Sequence, residues 1–222
     1  MKLIYRNDDF NFGVELDYLK GFHAVFEKYK VDHTIALDFG GHRINPNPEI
    51  LDYIRNSANW DIQFHCYEHT PYRDLDHSKI EENLEYMIAW TKENLKVTPT
   101  VYYPPWGRTG NGPVLEEAAK KFGISVETDC AFINYYCGAI AKGEEYFNTV
   151  KGESNHFIPY AKWDRVYFHL NTRDQAFLVP YLIKATADVS RGESETLDFN
   201  KKKDEIAELT EAVKRVEKGD FK

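Results

Sequence analysis

A chain of 222 residues that is 42% hydrophobic and 15% aromatic is long enough for one substantial core and too apolar to stay disordered. A formal net charge of −8 argues against nucleic acid or an anionic membrane surface as a partner, and no apolar run reaches the length of a membrane span. The chain opens on strand-forming residues without a leader pattern, so a cytoplasmic location is expected, and Cys66, Cys130 and Cys137 lack C-x-x-C spacing and read as free thiols.

Lys2 to Arg6 reads as a short strand that ends in Asn7-Asp8-Asp9. Turn residues Asn11-Phe12-Gly13 follow, and then Leu16, Leu19, Phe22 and Phe26 recur at helical spacing to about Lys30. Thr34 to Phe39 is the second strand, closed by Gly40-Gly41-His42. Pro48 opens a helix to about Ser57 with Ile50, Leu51 and Ile54 on one face. The third strand, Trp60 to Phe64, delivers His65. After Asp76 the positions of Ile80, Leu84, Met87, Ile88 and Leu95 mark the buried stripe of a long helix. Thr98 to Tyr103 is the fourth strand, ended sharply by Pro104-Pro105-Trp106-Gly107. Gly112-Pro113 starts a helix to about Phe122, and Ile124 to Glu127 is a strand closing on Thr128-Asp129. From Cys130 to Lys162 the pattern is ambiguous, with strand-like stretches at Ile133 to Tyr136 and Tyr146 to Val150. Arg165 to Phe168 is the last clear strand and delivers His169; Ala176 to Ala187 reads as helix, and Leu197 to Val216 as a charged helix with a thin apolar stripe.

Strands alternating with helices predict parallel β/α units, as a barrel or a doubly wound sheet, in one domain over 1–222 with residues 194–222 as a helical extension. In such folds active sites are built at the C-terminal ends of the strands. Asp8-Asp9, Asp38, His65, Trp106, Asp129 and His169 all fall there. On a helix-like turn, His65 and His69 would share one side and could bind a single divalent ion. A carboxylate from Asp8-Asp9 would complete a two-His, one-carboxylate set and leave positions open for water and substrate, an arrangement suited to catalysis. Cys66 lies between the imidazoles, but strand alternation turns it to the face opposite His65. Asp38 and His42 sit on the same rim as candidate substrate contacts, and Trp106 is a candidate for substrate contact or for capping the core.

The order Asn7-Asp8-Asp9, His65-x-x-x-His69, Tyr103-Pro104-Pro105-Trp106-Gly107, Asp129 and Phe168-His169-Leu170 resembles the NodB-type polysaccharide deacetylases of carbohydrate esterase family 4. Those enzymes carry Phe-Asp-Asp-Gly, His-x-x-x-His and Arg-Pro-Pro-Tyr-Gly motifs, a later aspartate, and a Leu-x-x-His-type motif near the end. The resemblance covers about residues 3 to 170. It implies a distorted (β/α)7-type barrel, with the C-terminal helix packed outside, and metal-dependent removal of an N- or O-acyl group from a sugar. Carried over by position, Asp9, His65 and His69 would hold one divalent ion, zinc foremost. Asp8 would be the catalytic base and His169 the acid. The backbone N–H of Trp106, at the family's tyrosine, would help hold the oxyanion beside Pro105, and Asp129 would support the catalytic groups.

Two departures shape the expectation. Phe10 replaces the glycine after the aspartate pair, and Tyr103 replaces the arginine that orients the catalytic aspartate. Arg6, two residues before Asp8 on a strand and so on the same face, is the expected substitute. The substrate class that follows is an acylated sugar or glycan precursor. A metal amidohydrolase acting on a non-sugar amide, and a degenerate carbohydrate-binding member of the same fold, are the alternatives.

Overall fold

The computed structural model describes residues 4–107, 112–128, 131–132 and 165–170, with 176, 178–180 and 183 beyond them. Its elements, in chain order, are β1 (Ile4–Phe10), α1 (Leu16–Tyr29), β2 (His33–Asp38), α2 (Pro48–Asn56), β3 (Trp60–Cys66), a 3-10 turn at Tyr72–Asp74, α3 (His77–Leu95), β4 (Val101–Tyr102), α4 (Pro113–Lys121), β5 (Ser125–Val126), β6 (Ala131–Phe132) and β7 (Arg165–Phe168). The chain packs as two compact units, residues 7–20 with 33–129, and residues 1–6 with 21–32 and 130–222.

In the unit containing residues 33–129 the strands lie in the order β5-β4-β3-β2-β1, and β2–β3, β3–β4 and β4–β5 pair in parallel. Five successive residues of β2, His33 to Leu37, are buried, the mark of a strand covered on both faces, as parallel sheets require. The helices form where the sequence supplies both a stripe and an end. In α2 the Asn47 side chain accepts a hydrogen bond from Glu49 N–H at 2.9 Å, Pro48 takes the first turn, and Ile50, Leu51 and Ile54 are buried. In α3 Ile80, Leu84, Met87, Thr91 and Leu95 face inward, and Lys96 ends the helix at φ 61°. Gly112, before α4, is a close-approach position: a Cβ there would sit 3.0 Å from Arg73 Cβ and 3.1 Å from its Cα.

The other unit holds the β1-β7-β6 part of the sheet order, with β6 and β7 parallel. Its core is aromatic: Tyr5 meets Phe26 edge-on at 6.0 Å, and Phe22 lies 5.6 Å from Phe168. The expected stretches 133–136 and 146–150, Asp129, and the charged helix with residues 194–222 lie outside the described residues.

Two boundaries differ from expectation in ways that matter for the site. β1 runs through the aspartate pair instead of stopping before it, and β3 continues through His65 to Cys66. The β2–β3 register explains the second. Leu37 pairs with Phe64, but Asp38 pairs with Cys66, so His65 is the extra residue of a bulge. A bulge re-aims the residue it inserts, and here that residue is an imidazole.

Candidate metal centre

Asp9 lies in β1 but has φ 56°. The two-residue alternation that would send Asp8 and Asp9 to opposite faces therefore ends there, and aspartate is among the few residues that tolerate this conformation. Asp9 Oδ1 lies 3.0 Å from His65 Nε2 and 3.5 Å from His69 Nε2. The imidazoles converge without a helical turn. His65 is delivered by the bulge, and the chain then reverses through a tight turn in which Thr70 N–H donates to Glu68 C=O at 2.7 Å. Two neighbours hold that reversal: Gly41 N–H donates to Tyr67 C=O at 2.6 Å, and Tyr67 N–H donates to the Tyr72 hydroxyl at 2.7 Å. The ring centroids of His65 and His69 end up 5.4 Å apart.

The donor set fits a divalent cation. His65 Nδ1 is 2.7 Å from the Tyr103 carbonyl, which only accepts, so Nδ1 carries the hydrogen and the neutral ring's lone pair is on Nε2. That lone pair faces a carboxylate oxygen at 3.0 Å, an arrangement relieved by a cation between them or a proton on Nε2. Two ligands about 2.1 Å from a tetrahedral ion stand about 3.4 Å apart. Asp9 Oδ1 stands close to that distance from both imidazole nitrogens, at 3.0 and 3.5 Å, and the three ligand atoms all lie within 4.8 Å of one another. His65 is nearly buried, whereas the His69 and Asp9 side chains are 38% and 37% exposed, so the cluster is open on one side.

Trp106 borders it. Its ring meets His69 edge-on at 4.5 Å and is 54% exposed. Gly107 N–H closes a turn onto Pro104 C=O at 3.0 Å with Pro105 second, and Trp106 sits third at φ 56°, a place that ordinarily takes glycine or asparagine. Tyr103 is buried and contributes its carbonyl to His65. Asp8 is also buried.

Asp38 is tied into the scaffold. Its Oδ1 accepts Gly40 N–H at 2.9 Å and the Cys66 thiol at 3.2 Å. Burial pushes the Cys66 thiol well above its usual pKa, and the carboxylates of Asp38, Asp9 and Asp8 push it the same way, so it is a neutral donor. The bulge that sets Cys66 opposite Asp38 makes this contact, and no residue spacing signals it. His42, exposed at φ 64°, packs edge-on against Tyr86 at 4.1 Å and Tyr67 at 5.1 Å.

Arg6 and His169 belong to the other unit. The Arg6 guanidinium carbon is 5.5 Å from the centre of the Tyr167 ring, and Tyr167 meets His169 edge-on at 6.0 Å. His169 follows β7 directly, as expected.

Parallel β/α units that bring a carboxylate and two imidazoles together define an α/β protein with a candidate metal site. The family model for polysaccharide deacetylase matches residues 10–126, more than half of the chain, and the chain belongs to that family. No curated protein matches the sequence. Among solved structures, a family 4 carbohydrate esterase from Streptomyces lividans in complex with acetate is 13% identical over 86% of this chain and 89% of its own, with a TM-score of 0.58. The peptidoglycan deacetylase PdaC from Bacillus subtilis is 18% identical over 94% of this chain and 95% of its own, with a TM-score of 0.57. A CE4 family pseudoenzyme from Bacillus anthracis is 14% identical over 78% of this chain and 56% of its own, with a TM-score of 0.52. At such identities the likeness is one of fold, and the fold class is the distorted (β/α) barrel of the NodB type. Among the described residues no helix is long and apolar enough to cross a membrane.

Proposed function

We propose that this chain is a metal-dependent hydrolase that removes an acyl group, N-acetyl foremost, from a sugar or glycan precursor. The observation that carries the reading is the convergence of Asp9, His65 and His69, with His65 oriented by the Tyr103 carbonyl. A divalent ion held by those three side chains would supply Lewis acidity toward the acyl carbonyl and a water of lowered pKa. Asp8 takes the proton of the attacking water. His169 gives a proton to the departing nitrogen or oxygen, which otherwise leaves poorly. The Trp106 N–H donates to the oxygen on which negative charge develops. Its exposed indole, next to His69, is suited to lie against the apolar face of a sugar ring. His42 extends the polar rim that meets the substrate. Arg6, buried on β1 two residues before Asp8, supplies the positive charge that the family's motif arginine gives, and Asp129 supports the catalytic groups.

A second reading, a carbohydrate-binding member without turnover, is favoured by one observation: an uncharged tyrosine, Tyr103, stands where the motif arginine would be. Metal analysis of the purified protein, paired with acetate release from N-acetylated oligosaccharides and from N-acylated simple amines, separates these. Bound divalent metal that is lost in Asp9→Asn and His65→Ala, with acetate released from the sugars only, is the expected result. Metal and acetate release from both substrate types would make the protein a general amidohydrolase. Glycan binding without turnover would leave the second reading standing.

A further inference from the structure

The second imidazole, His69, lies outside any strand or helix, on a chain reversal that must be pinned for the ligand set to hold its geometry. A buried phenol does the pinning. Tyr72 is 1% exposed, and its hydroxyl oxygen accepts the N–H of Tyr67 at 2.7 Å. That N–H is two residues before His69, so the bond holds the start of the segment that carries it. The ring itself is fixed from behind by Tyr102, edge-on at 5.4 Å, and Tyr102 lies on β4, whose neighbour Tyr103 provides the carbonyl that orients His65. One aromatic pair thus ties the segment carrying His69 to the strand that orients His65.

We infer that Tyr72 is a positioning residue for the metal centre: its hydroxyl fixes the 67–70 reversal so that His69 Nε2 is presented to the ion shared with His65 and Asp9. This rests on the metal reading above. The backbone N–H of Tyr67 is in buried surroundings and needs an acceptor; a reversal in water would take one from solvent and lose its fixed shape. Burial keeps the phenol neutral, so it remains in the same hydrogen-bonding state across the ordinary pH range. No residue spacing would have singled out Tyr72, because its hydroxyl acts on a backbone N–H five residues earlier and the contact exists only once the chain has reversed.

The test is affinity for Zn²⁺ and Co²⁺, measured by competition with a chromophoric chelator on the whole chain. Tyr72→Phe removes a single oxygen and is expected to weaken metal binding about 10-fold or more, the usual effect of losing a group that orients a ligand. A merely structural role would lower the melting temperature without this loss, so Ile54→Val, which trims a buried residue of α2, serves as control and keeps wild-type affinity. If Tyr72 acts through His69, its effect must vanish once His69 is gone: in a His69→Ala background, Tyr72→Phe should change affinity less than 2-fold. Wild-type affinity in Tyr72→Phe overturns the inference, as does a full 10-fold effect in the His69→Ala background. If Tyr72→Phe does not fold, amide exchange of wild-type protein decides. Slow exchange at Tyr67 in the metal-free state is expected, and fast exchange overturns it. Wild-type protein that binds no divalent metal in any arm brings down the metal reading itself, and this inference with it.

Discussion

Asp8 and Asp9 are neighbours assigned different work, and substitution can separate them. Asp9→Asn removes a ligand, so metal affinity and turnover should fall together. Asp8→Asn should leave the metal content unchanged and lower kcat about 10²- to 10⁴-fold, the usual worth of a positioned base. Metal titration beside steady-state kinetics checks this, and equal loss of metal in both variants would refute the division. Trp106 offers a separate stability test. At φ 56° a β-carbon is strained by about 1 kcal/mol or more, which glycine escapes. Trp106→Gly should therefore melt about 2–4 °C above Trp106→Ala, the reverse of the order expected in ordinary backbone. Both variants should lose activity through loss of the indole. The identities of these residues were legible in the sequence because Asp8-Asp9, His65-x-x-x-His69 and the Pro-Pro-Trp-Gly stretch each close a strand-like run. Their orientations were not. A left-handed Asp9 is tolerated by its residue type but not announced by it, and a left-handed Trp106 is a backbone state that residue type disfavours and the fold over-determines.

At the scale of elements, the turn after β2 and the reversal after β3 brace each other. Gly40, Gly41 and His42 are all left-handed, at φ 54°, 61° and 64°. A β-carbon on Gly40 would meet only Arg43 Cβ, at 3.8 Å, whereas one on Gly41 would collide with the carboxylate end of Glu68 and lie 2.9 Å from its Cγ. Gly40→Ala should cost about 1 kcal/mol, from backbone strain alone. Gly41→Ala should cost more, and the excess should disappear when Glu68 is also changed to Ala, as read from urea midpoints. Persistence of the excess in the double variant would mean that the crowding lies in the backbone. The turn glycines were visible in the sequence as punctuation, and the helices α2, α3 and α4 as stripes with ends. The bulge at His65 was not, because an inserted residue changes which partner each residue faces without changing the local pattern. Strand β4 is also shorter than the run from Thr98 to Tyr103 suggests: Pro104-Pro105 bounds it on one side, and on the other the N–H groups of Thr100 and Val101 donate to the Gln63 side-chain oxygen at 3.0 and 2.9 Å, so only Val101–Tyr102 remain in the ladder.

On the scale of the whole molecule, buried acidic groups make stability sensitive to alkali. Cys66, Tyr72 and Tyr102 are all buried, and burial is the first cause raising each pKa above the group's ordinary value, 9.0 for the thiol and 10.0 for the phenols. Below pH 9 both the folded and the unfolded chain hold these protons, and the stability they provide is complete. As pH rises past 9, the unfolded chain gives up the Cys66 proton while the folded chain keeps it, so the unfolded state binds fewer protons and stability falls with pH. Each such group adds a limiting slope of about 1.4 kcal/mol per pH unit, so the decline steepens above pH 10, where the buried phenols join. Urea midpoints measured from pH 7 to 10.5 should therefore be level to about 8.5 and then decline with an upward break in slope near 10. Cys66→Ala should remove the first part of the decline and leave the break near 10, because the tyrosines still titrate only in the unfolded chain. The same burial predicts that native protein reacts negligibly with iodoacetamide at Cys66 at pH 9, while urea-unfolded protein reacts at once. A level stability profile through pH 10, or rapid labelling of the native thiol, would mean that the Asp38–Cys66 contact opens to solvent.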